Sequence, residues 1–368
     1  MSATIVDVAR HAGVSIATAS RALSGAAGRK VPPATAEKVH SAANSLGYRP
    51  NAAARALVGS STGLIGLVVH DIGDWYSSSI AKGVHRACGL SGKTLVLAST
   101  GDSAEEDLAA LRALVSQGVE GIILASTIRH RSDAGKTPLS QLADRYISTG
   151  GRLVTISEAL GCGSGSEKVL GLQQEKGAAE LAAAMVAQGS RRFTIVTGAE
   201  DRAYLDRRRA GFVTGLQIAD VHPAEVVHTS LRSDGARDAA AQIRRQIIRD
   251  GEEGLRHGIF GVTDRVALTT ITALARLHLE PPRDYAIAGF DDIPDSADFW
   301  PTLTTVRLPI QEIGTQAVHL AIGRQIDNVD LAGEVILRAS TSRPTPNCGK
   351  NDAAFTASRR LPSEQLHQ

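Results

Sequence analysis

From Gly63 onward the chain alternates short, continuous apolar runs with amphipathic stretches, and this alternation restricts the fold more than any other feature. The runs are Gly63 to Val69, Thr94 to Ser99, Val119 to Ser126, Arg152 to Ser157, Lys168 to Leu172, Phe193 to Thr197, Glu225 to Thr229, Gly258 to Val262 and Tyr285 to Phe290. They are apolar along their length rather than alternating, the pattern of parallel strands covered on both faces. Between them, Ser77 to Leu90, Ala104 to Gln117, Glu175 to Gln188, Gly235 to Arg249 and Arg265 to Leu277 read as helices. A parallel strand reaches its neighbour only through a crossover, so repeated βα units predict an α/β core of doubly wound parallel sheets. With 368 residues, 43% of them hydrophobic, the chain is long enough to bury more than one core.

The first 58 residues have a different texture. Ile5, Val8, Ala9 and Ala12 fall at the i, i+3, i+4, i+7 spacing of a short amphipathic helix, with Thr4 and Asp7 placed as a capping box. Gly13 suits the left-handed position after that helix, and Ser15 caps a second helix running to about Leu23. So tight a turn forces the two helices to cross steeply. A third helix reads from Pro33 to Leu46, with Val39, Ala42, Ala43 and Leu46 inward and Gly47 as its stop. Pro50 resets the chain, and Asn51 caps one further short helix through Leu57, followed by the linker Gly59-Ser60-Ser61-Thr62-Gly63.

Charge separates the two parts. Residues 1–58 hold seven Lys/Arg against Asp7 and Glu37, a balance of +5, so the remaining residues carry −3 within a whole-chain charge of +2. A small basic head suits a polyanionic partner, although an ordinary solvated face gives the same count. Cys88, Cys162 and Cys348 lie far apart, without metal-ligand spacing or the density of a disulfide scaffold, and read as reduced thiols. No metal or other cofactor is expected. No leader opens the chain and no apolar run approaches membrane-spanning length, so the expectation is a cytoplasmic protein with no membrane contact. Residues 343–368 sustain no apolar period and read as a disordered tail.

Two helices joined through Gly13 form a helix-turn-helix pattern, in which the second helix enters the DNA major groove and its first residues meet base edges. Arg21 has the two-pronged donor geometry for a guanine, Ile16 and Ala17 offer apolar contact to a thymine methyl, and Thr18 and Ser20 suit phosphates. On pattern alone, a plain three-helix packing unit remains an alternative. The segment from Ile5 to Leu23, IVDVARHAGVSIATASRAL, closely resembles the head of the LacI/GalR family of transcription regulators. The segment from Leu46 to Leu57, LGYRPNAAARAL, resembles that family's end of helix three and its hinge helix, and the similarity continues to about residue 342. The loop from Gly25 to Val31 looks a residue or two longer than usual in the family.

The resemblance implies DNA contacts from Thr4, Ser15, Ile16, Ala17, Thr18, Ser20, Arg21, Tyr48, Asn51, Ala54, Arg55 and Leu57. Leu57 stands where the family wedges a leucine into the central base step of the minor groove, and a buried helix-end residue is the alternative. An Ala-rich helix this short is marginal alone, which suits folding on DNA contact. For the core, the family places ligand-stacking aromatics after the first strand, here Trp75 and Tyr76 beside Asp71. With only 4% aromatic residues in the chain, an adjacent pair at a strand end stands out, core packing being the alternative. The stretch from Gly198 to Phe212 resembles the family's effector-contacting segment and puts Arg202 and Arg208 at ligand positions. Gly261 to Ala267 and Ala288 to Ile293 add Asp264 and Asp291, for which a loop cap or a salt bridge is the alternative role. Ser126, at the end of its run, completes the implied effector set. Gly171-Leu172-Gln173-Gln174 departs from the family, which often carries an Asp-Asn pair there, and its glutamines are longer and uncharged, so the expected ligand is not restricted to a sugar.

These readings give a helix-turn-helix domain over 1–49, a hinge and linker over 50–62, and an effector-binding, periplasmic-binding-protein-like core over 63–342. The core divides into one subdomain of 63–157 with 291–320 and another of 158–290 with 321–342. The implied protein is a homodimeric transcription regulator, read as a repressor, that binds near-palindromic operator DNA and responds to a sugar, polyol or nucleoside. The rivals are an exported solute-binding protein, which requires a leader and no head, and a small-molecule enzyme on a similar core. The second is suggested only by Gly161-Cys162-Gly163-Ser164-Gly165, which lacks the spacing and following helix of a phosphate-binding loop.

Overall fold

The computed structural model describes residues 3–24, 31–48, 62–101, 103–125, 137–163, 166–198, 202–221, 224–229, 235–325 and 331–343. The head consists of α1 (Ile5–Ala12), α2 (Ile16–Ser24) and α3 (Pro33–Ser45). The capping box at α1 forms as the sequence suggests, with Asp7 accepting from the Thr4 backbone N–H at 3.0 Å and the Thr4 hydroxyl at 2.6 Å. Gly13 takes φ 65°, the left-handed turn that ends α1, where a side chain would be strained. Val8, Ala9, Ala19, Val39, Ala42 and Ala43 form a small buried core, with Tyr48 packed against it.

Two parallel sheets follow. The first contains β1 (Leu64–Val69), β2 (Thr94–Ser99), β3 (Gly121–Ala125), β4 (Arg152–Ile156) and β5 (Lys168–Leu170), ordered β2-β1-β3-β4-β5. Its helices are α4 (Trp75–Leu90), α5 (Ala104–Ser116) and α6 (Pro138–Ser148). The second sheet, ordered β7-β6-β8-β9, contains β6 (Arg192–Gly198), β7 (Glu225–Thr229), β8 (His257–Gly261) and β9 (Ala286–Ala288). With it go α7 (Gln174–Ala187), α8 (Ala203–Ile218), α9 (Gly235–Glu252), α10 (Asp264–Ala275) and the short α11 (Asp295–Asp298). The chain then forms β10 (Thr305–Arg307), returns to the first sheet as α12 (Ile310–Ala321), and comes back as β11 (Glu334–Ile336) antiparallel to β10.

The division expected at residues 157 and 158 differs from the pairing. β5 joins the first sheet by pairing with β4 in parallel, Thr155 opposite Val169, so the chain leaves that sheet after Leu170. A three-residue strand carries too little pattern to show which sheet it joins. The run from Tyr285 to Phe290 also shortens to β9, because Gly289 N–H donates to Thr304 and Asp291 N–H to Val306 as the chain turns toward its next crossover.

Helices pack closely on each sheet where glycine permits. A Cβ on Gly83 of α4 would meet the Gln311 carbonyl of α12, and one on Gly211 of α8 would meet the Glu175 carbonyl of α7. Phe212, beside Gly211, stacks on Phe260 of β8 at 4.4 Å between centroids. One apolar cluster runs through both sheets, from Ile65 and Ile123 to Phe260 and Val306, so the two lobes share a continuous core.

Candidate functional site

In the head, α2 presents Ser15, Ile16, Ala17 and Arg21 to solvent. Ile16 is 50% exposed, a large apolar side chain with no core to join, as a groove-reading residue would be. Ser15 accepts from the Thr18 N–H at 3.2 Å and shares a hydrogen bond with the Thr18 hydroxyl at 2.9 Å, so both side chains also serve to start the helix. Arg21 donates from Nε to the Ala17 carbonyl at 3.0 Å, which holds the guanidinium along the helix. Thr4 is exposed at the start of α1 and Ser20 is half-buried. Tyr48 is half-buried against the head core, a packing role alongside the expected DNA contact. Asn51, Ala54, Arg55 and Leu57 lie outside the described residues, as do Ser126, most of the 25–31 loop and the residues beyond 343.

A cavity of about 860 Å³ lies between the carboxyl ends of the two sheets. Open α/β sheets bind ligands there, because strand ends and helix starts converge polar groups at the point where strand order reverses. One wall comes from the end of β1 and the start of α4. Asp74 caps that helix, accepting from Tyr76 N–H at 3.0 Å and Ser77 N–H at 3.3 Å, which turns Trp75 and Tyr76 into the cavity. Burial pushes the Tyr76 hydroxyl up to about 12, opposed by a hydrogen bond with Ser157. Asp71 lies exposed at the mouth and accepts from Gly73 N–H at 2.8 Å.

Arg208 and Asp291 form the base. Arg208, 3% exposed, pairs with Asp291 through two contacts, at 2.6 and 3.2 Å. Its Nε donates to Gln174 Oε1 at 2.7 Å and its Nη1 to the Val262 carbonyl at 2.8 Å. The guanidinium also lies 4.1 Å from the Phe290 ring centroid and 4.9 Å from that of Tyr204. Such a cation is held from every side and presents a fixed edge to a ligand. Burial pushes the Asp291 carboxyl up to about 7, with the Arg208 charge pulling the other way. Asp291 and Asp292 adopt φ 115° and 53°, a left-handed pair that costs on the order of 1–3 kcal/mol per residue. The following ion pairs hold it, Asp292 meeting Arg307 at 2.6 Å and Arg338 at 2.7 Å.

Arg202 also lines the cavity, immediately before α8. Asp264 does not, which corrects its assignment as an effector ligand. Its carboxylate is fully buried and accepts from Ile293 N–H at 2.9 Å, Ser296 at 2.7 Å and Thr305 at 2.5 Å. It ties the start of α10 to the following crossover. Burial raises its carboxyl, and those three donors lower it.

Further lining residues lie outside the effector set expected from the sequence, among them His70, Ser157, Glu158, Gln174, Tyr204 and Arg265. His70, Ser157 and Glu158 directly follow β1 and β4, so listing every polar residue at a strand's carboxyl end finds them. Gln174 had stood out as a departure from the family, and its 2% exposure and bond to Arg208 show where that departure acts.

A helix-turn-helix on a two-lobed parallel α/β core, with a polar and aromatic cavity between the strand ends, defines a class: ligand-responsive DNA-binding regulators. Comparison with known proteins narrows it. The family model for bacterial regulatory proteins of the lacI family matches residues 4–51, and that for a periplasmic binding protein-like domain matches residues 182–345. The chain is 31% identical over 331 residues to the ribose operon repressor of Halalkalibacterium halodurans, covering 89% of this chain and 92% of that protein. It is 26% identical over 329 residues to catabolite control protein A of Priestia megaterium, covering 87% and 92%. In structure it is similar to the lac repressor dimer bound to operator and the anti-inducer ONPF. The TM-score is 0.74 at 23% identity, over 93% of this chain and all of that one. The chain belongs to the LacI family and is a transcription regulator of that family.

Proposed function

We propose that the protein is a homodimeric repressor that binds a near-palindromic operator through its paired heads and releases or tightens on it when a small effector enters the cavity. The observation that carries the reading is the buried Arg208–Asp291 pair facing Trp75 and Tyr76 across a cavity between strand ends. An aromatic wall opposite a fixed cation and carboxylate suits a hydroxylated ring, as in a sugar, polyol or nucleoside. The name of the relative at 31% identity makes D-ribose the first compound to test.

One recognition helix per subunit reads a half-site, so two-fold symmetry in the protein calls for two-fold symmetry in the DNA. The head comprises residues 1–49, the hinge and linker 50–62 and the core 63–342. The first lobe takes in β5. Asn51, Ala54, Arg55 and Leu57 of the hinge contact the minor groove, Ser126 belongs to the effector set, and Asp71 and Arg202 close on the ligand from opposite walls.

The protein acts in the cytoplasm, where its DNA is; among the described residues no helix is long and apolar enough to cross a membrane. It binds its effector without turnover and needs no cofactor. At the cavity, the hydroxyl of Ser77 lies 3.1 Å from His70 Nδ1, but Ser77 is 1% exposed and screened from a ligand. Selection of bound duplexes from a random pool by the full chain, followed by titration of the selected operator with D-ribose and a panel of sugars, polyols and nucleosides, tests the reading. A symmetric enriched site whose affinity changes 5- to 150-fold with one compound is expected. Duplexes enriched without symmetry, or an affinity that no panel member moves, would count against it.

A further inference from the structure

A second concave site lies on the outer side of the second lobe, where α9 meets the end of α10. The depression, about 510 Å³, is lined by Ala241, Arg244, Arg245, Arg276, Leu277 and His278. It shares no residue with the cavity between the lobes.

Its charge is unbalanced. α9 buries Ile243, Gln246, Ile247 and Asp250 and turns Arg244 and Arg245 outward. Neither arginine's side chain makes a hydrogen bond or ion pair with a described residue, and the same holds for the side chains of Arg276 and His278. Arg249, one turn further along α9, shows the contrast. It reaches Glu225 at 3.1 Å and Asp250 at 3.0 Å, as an exposed arginine does when an acid is within range. Arg276 and His278 follow the last residue of α10, where the partial negative charge of the helix end favours cations. That argument does not reach Arg244 and Arg245, in the middle of α9. The residues beyond 58 carry a net charge of −3, so a cluster of three arginines within them is not a by-product of bulk composition. Like charges gathered in one depression repel, and among the described residues no acidic side chain pairs with them to repay that cost.

We propose that this depression binds a small anion carrying two or more phosphate groups. Guanidinium forks match phosphate oxygens in pairs, and arginines from two separate elements can hold two phosphate groups at once where a single phosphate engages only part of the set. The side chains of Ala241 and Leu277 carry no polar group, so the arginines set the selectivity.

The test is calorimetric titration of the full chain with pyrophosphate, and separately with inorganic phosphate, at a fixed ionic strength of about 0.15 M so that surface charge is screened. One pyrophosphate per chain is expected, at least ten-fold tighter than inorganic phosphate. Arg244→Ala/Arg245→Ala and, separately, Arg276→Ala should each weaken it ten-fold or more, while melting curves stay near wild type. Arg112→Ala, removing an exposed arginine of α5, should leave it unchanged. No pyrophosphate binding at millimolar concentration overturns the proposal, and so does binding that the arginine substitutions leave intact, an adventitious ion only. Loss of duplex DNA affinity in Arg244→Ala/Arg245→Ala without pyrophosphate binding to the wild type would make the patch a nucleic-acid contact and equally overturn it.

Discussion

Replacing Arg208 by methionine keeps most of the side-chain volume at the base of the cavity and removes the charge that faces Asp291. The salt bridge, at 2.6 Å, is buried on both sides, with Arg208 3% and Asp291 9% exposed. Removing one partner of such a pair costs about 3–5 kcal/mol, mostly because the other charge is stranded. The stranded group here is a carboxyl that burial has already pushed up to about 7 from 3.8, with Arg208 as the chief opposing influence. A carboxyl whose folded pKa lies above its unfolded value destabilises the fold progressively as pH rises from the unfolded pKa to the folded one, and no further above it. In the wild type that loss is complete near pH 7. In Arg208→Met the folded pKa moves above 7, so the loss continues, and the deficit against wild type grows by about 1.4 kcal/mol per pH unit. Denaturant unfolding at pH 6.0, 7.0 and 8.5 should show a deficit about 2 kcal/mol larger at 8.5 than at 7.0. Arg208→Met/Asp291→Asn removes both charges, so most of the stability should return and the extra pH dependence vanish. A deficit that stays flat from pH 6.0 to 8.5, or a double variant as weak and as pH-sensitive as the single one, would refute the reasoning.

The chain has two tryptophans, Trp75 in the cavity wall and Trp300 at 86% exposure, so Trp300→Phe leaves a single emitter at the site. Its emission should change on adding the effector, and Trp75→Leu should abolish the signal while weakening affinity by about 1 kcal/mol; an unchanged affinity would place the ring outside the ligand's reach. Asp264→Ala should cost more than about 3 kcal/mol of folding stability, because it orphans three buried donors, yet leave effector affinity near wild type in the folded fraction. The opposite pattern in melting and titration curves would return Asp264 to the effector set. Arg21→Ala should lower discrimination for one guanine of each half-site by about 1–3 kcal/mol while leaving the salt dependence of non-specific binding in place. Leu57→Ala should sharply reduce operator affinity and DNA bending without lowering the melting temperature of the core, since a wedge contributes only on bent DNA. An unaltered bend angle would remove the hinge wedge from the mechanism.

Much of the fold is written locally. Thr94–Ser99 and Glu225–Thr229 begin and end in the structure where the apolar runs do, because consecutive apolar residues bounded by turn residues leave little choice of register. The head is equally legible, since Thr4, Asp7 and Gly13 act within a few residues of where they stand. α8 was harder to read. Its second turn carries Arg207, Arg208 and Arg209, and burying the middle arginine breaks the polar and apolar faces by which an amphipathic helix is recognised. β5 was assigned to the wrong lobe for a different reason. Lys168 and Val169 are exposed and only Leu170 is buried, so membership of the first sheet is decided by pairing with β4 rather than by the strand's own residues.

The site shows the same division between local and distant causes. Trp75 and Tyr76 were readable because rarity and position at a strand end coincide, and both are properties of the local sequence. Asp264 and Asp291 look alike by those criteria, each an acid closing an apolar run. What separates them is where their partners come from. Asp264 meets Ile293, Ser296 and Thr305, all supplied by the crossover 29 to 41 residues downstream, and these turn its carboxylate inward. Asp291 meets Arg208, 83 residues upstream, while the left-handed backbone at Asp291 and Asp292 points successive carboxylates to different sides of the chain. One goes to the cavity base and the other to Arg307 and Arg338 on the returning segments. A ligand that draws on Arg208 therefore acts on a residue whose backbone neighbour anchors two of the segments joining the lobes. The strained pair at 291 and 292 occupies the place where cavity and crossover meet, and retaining acids there at positive φ makes structural sense only if both carboxylates are in use.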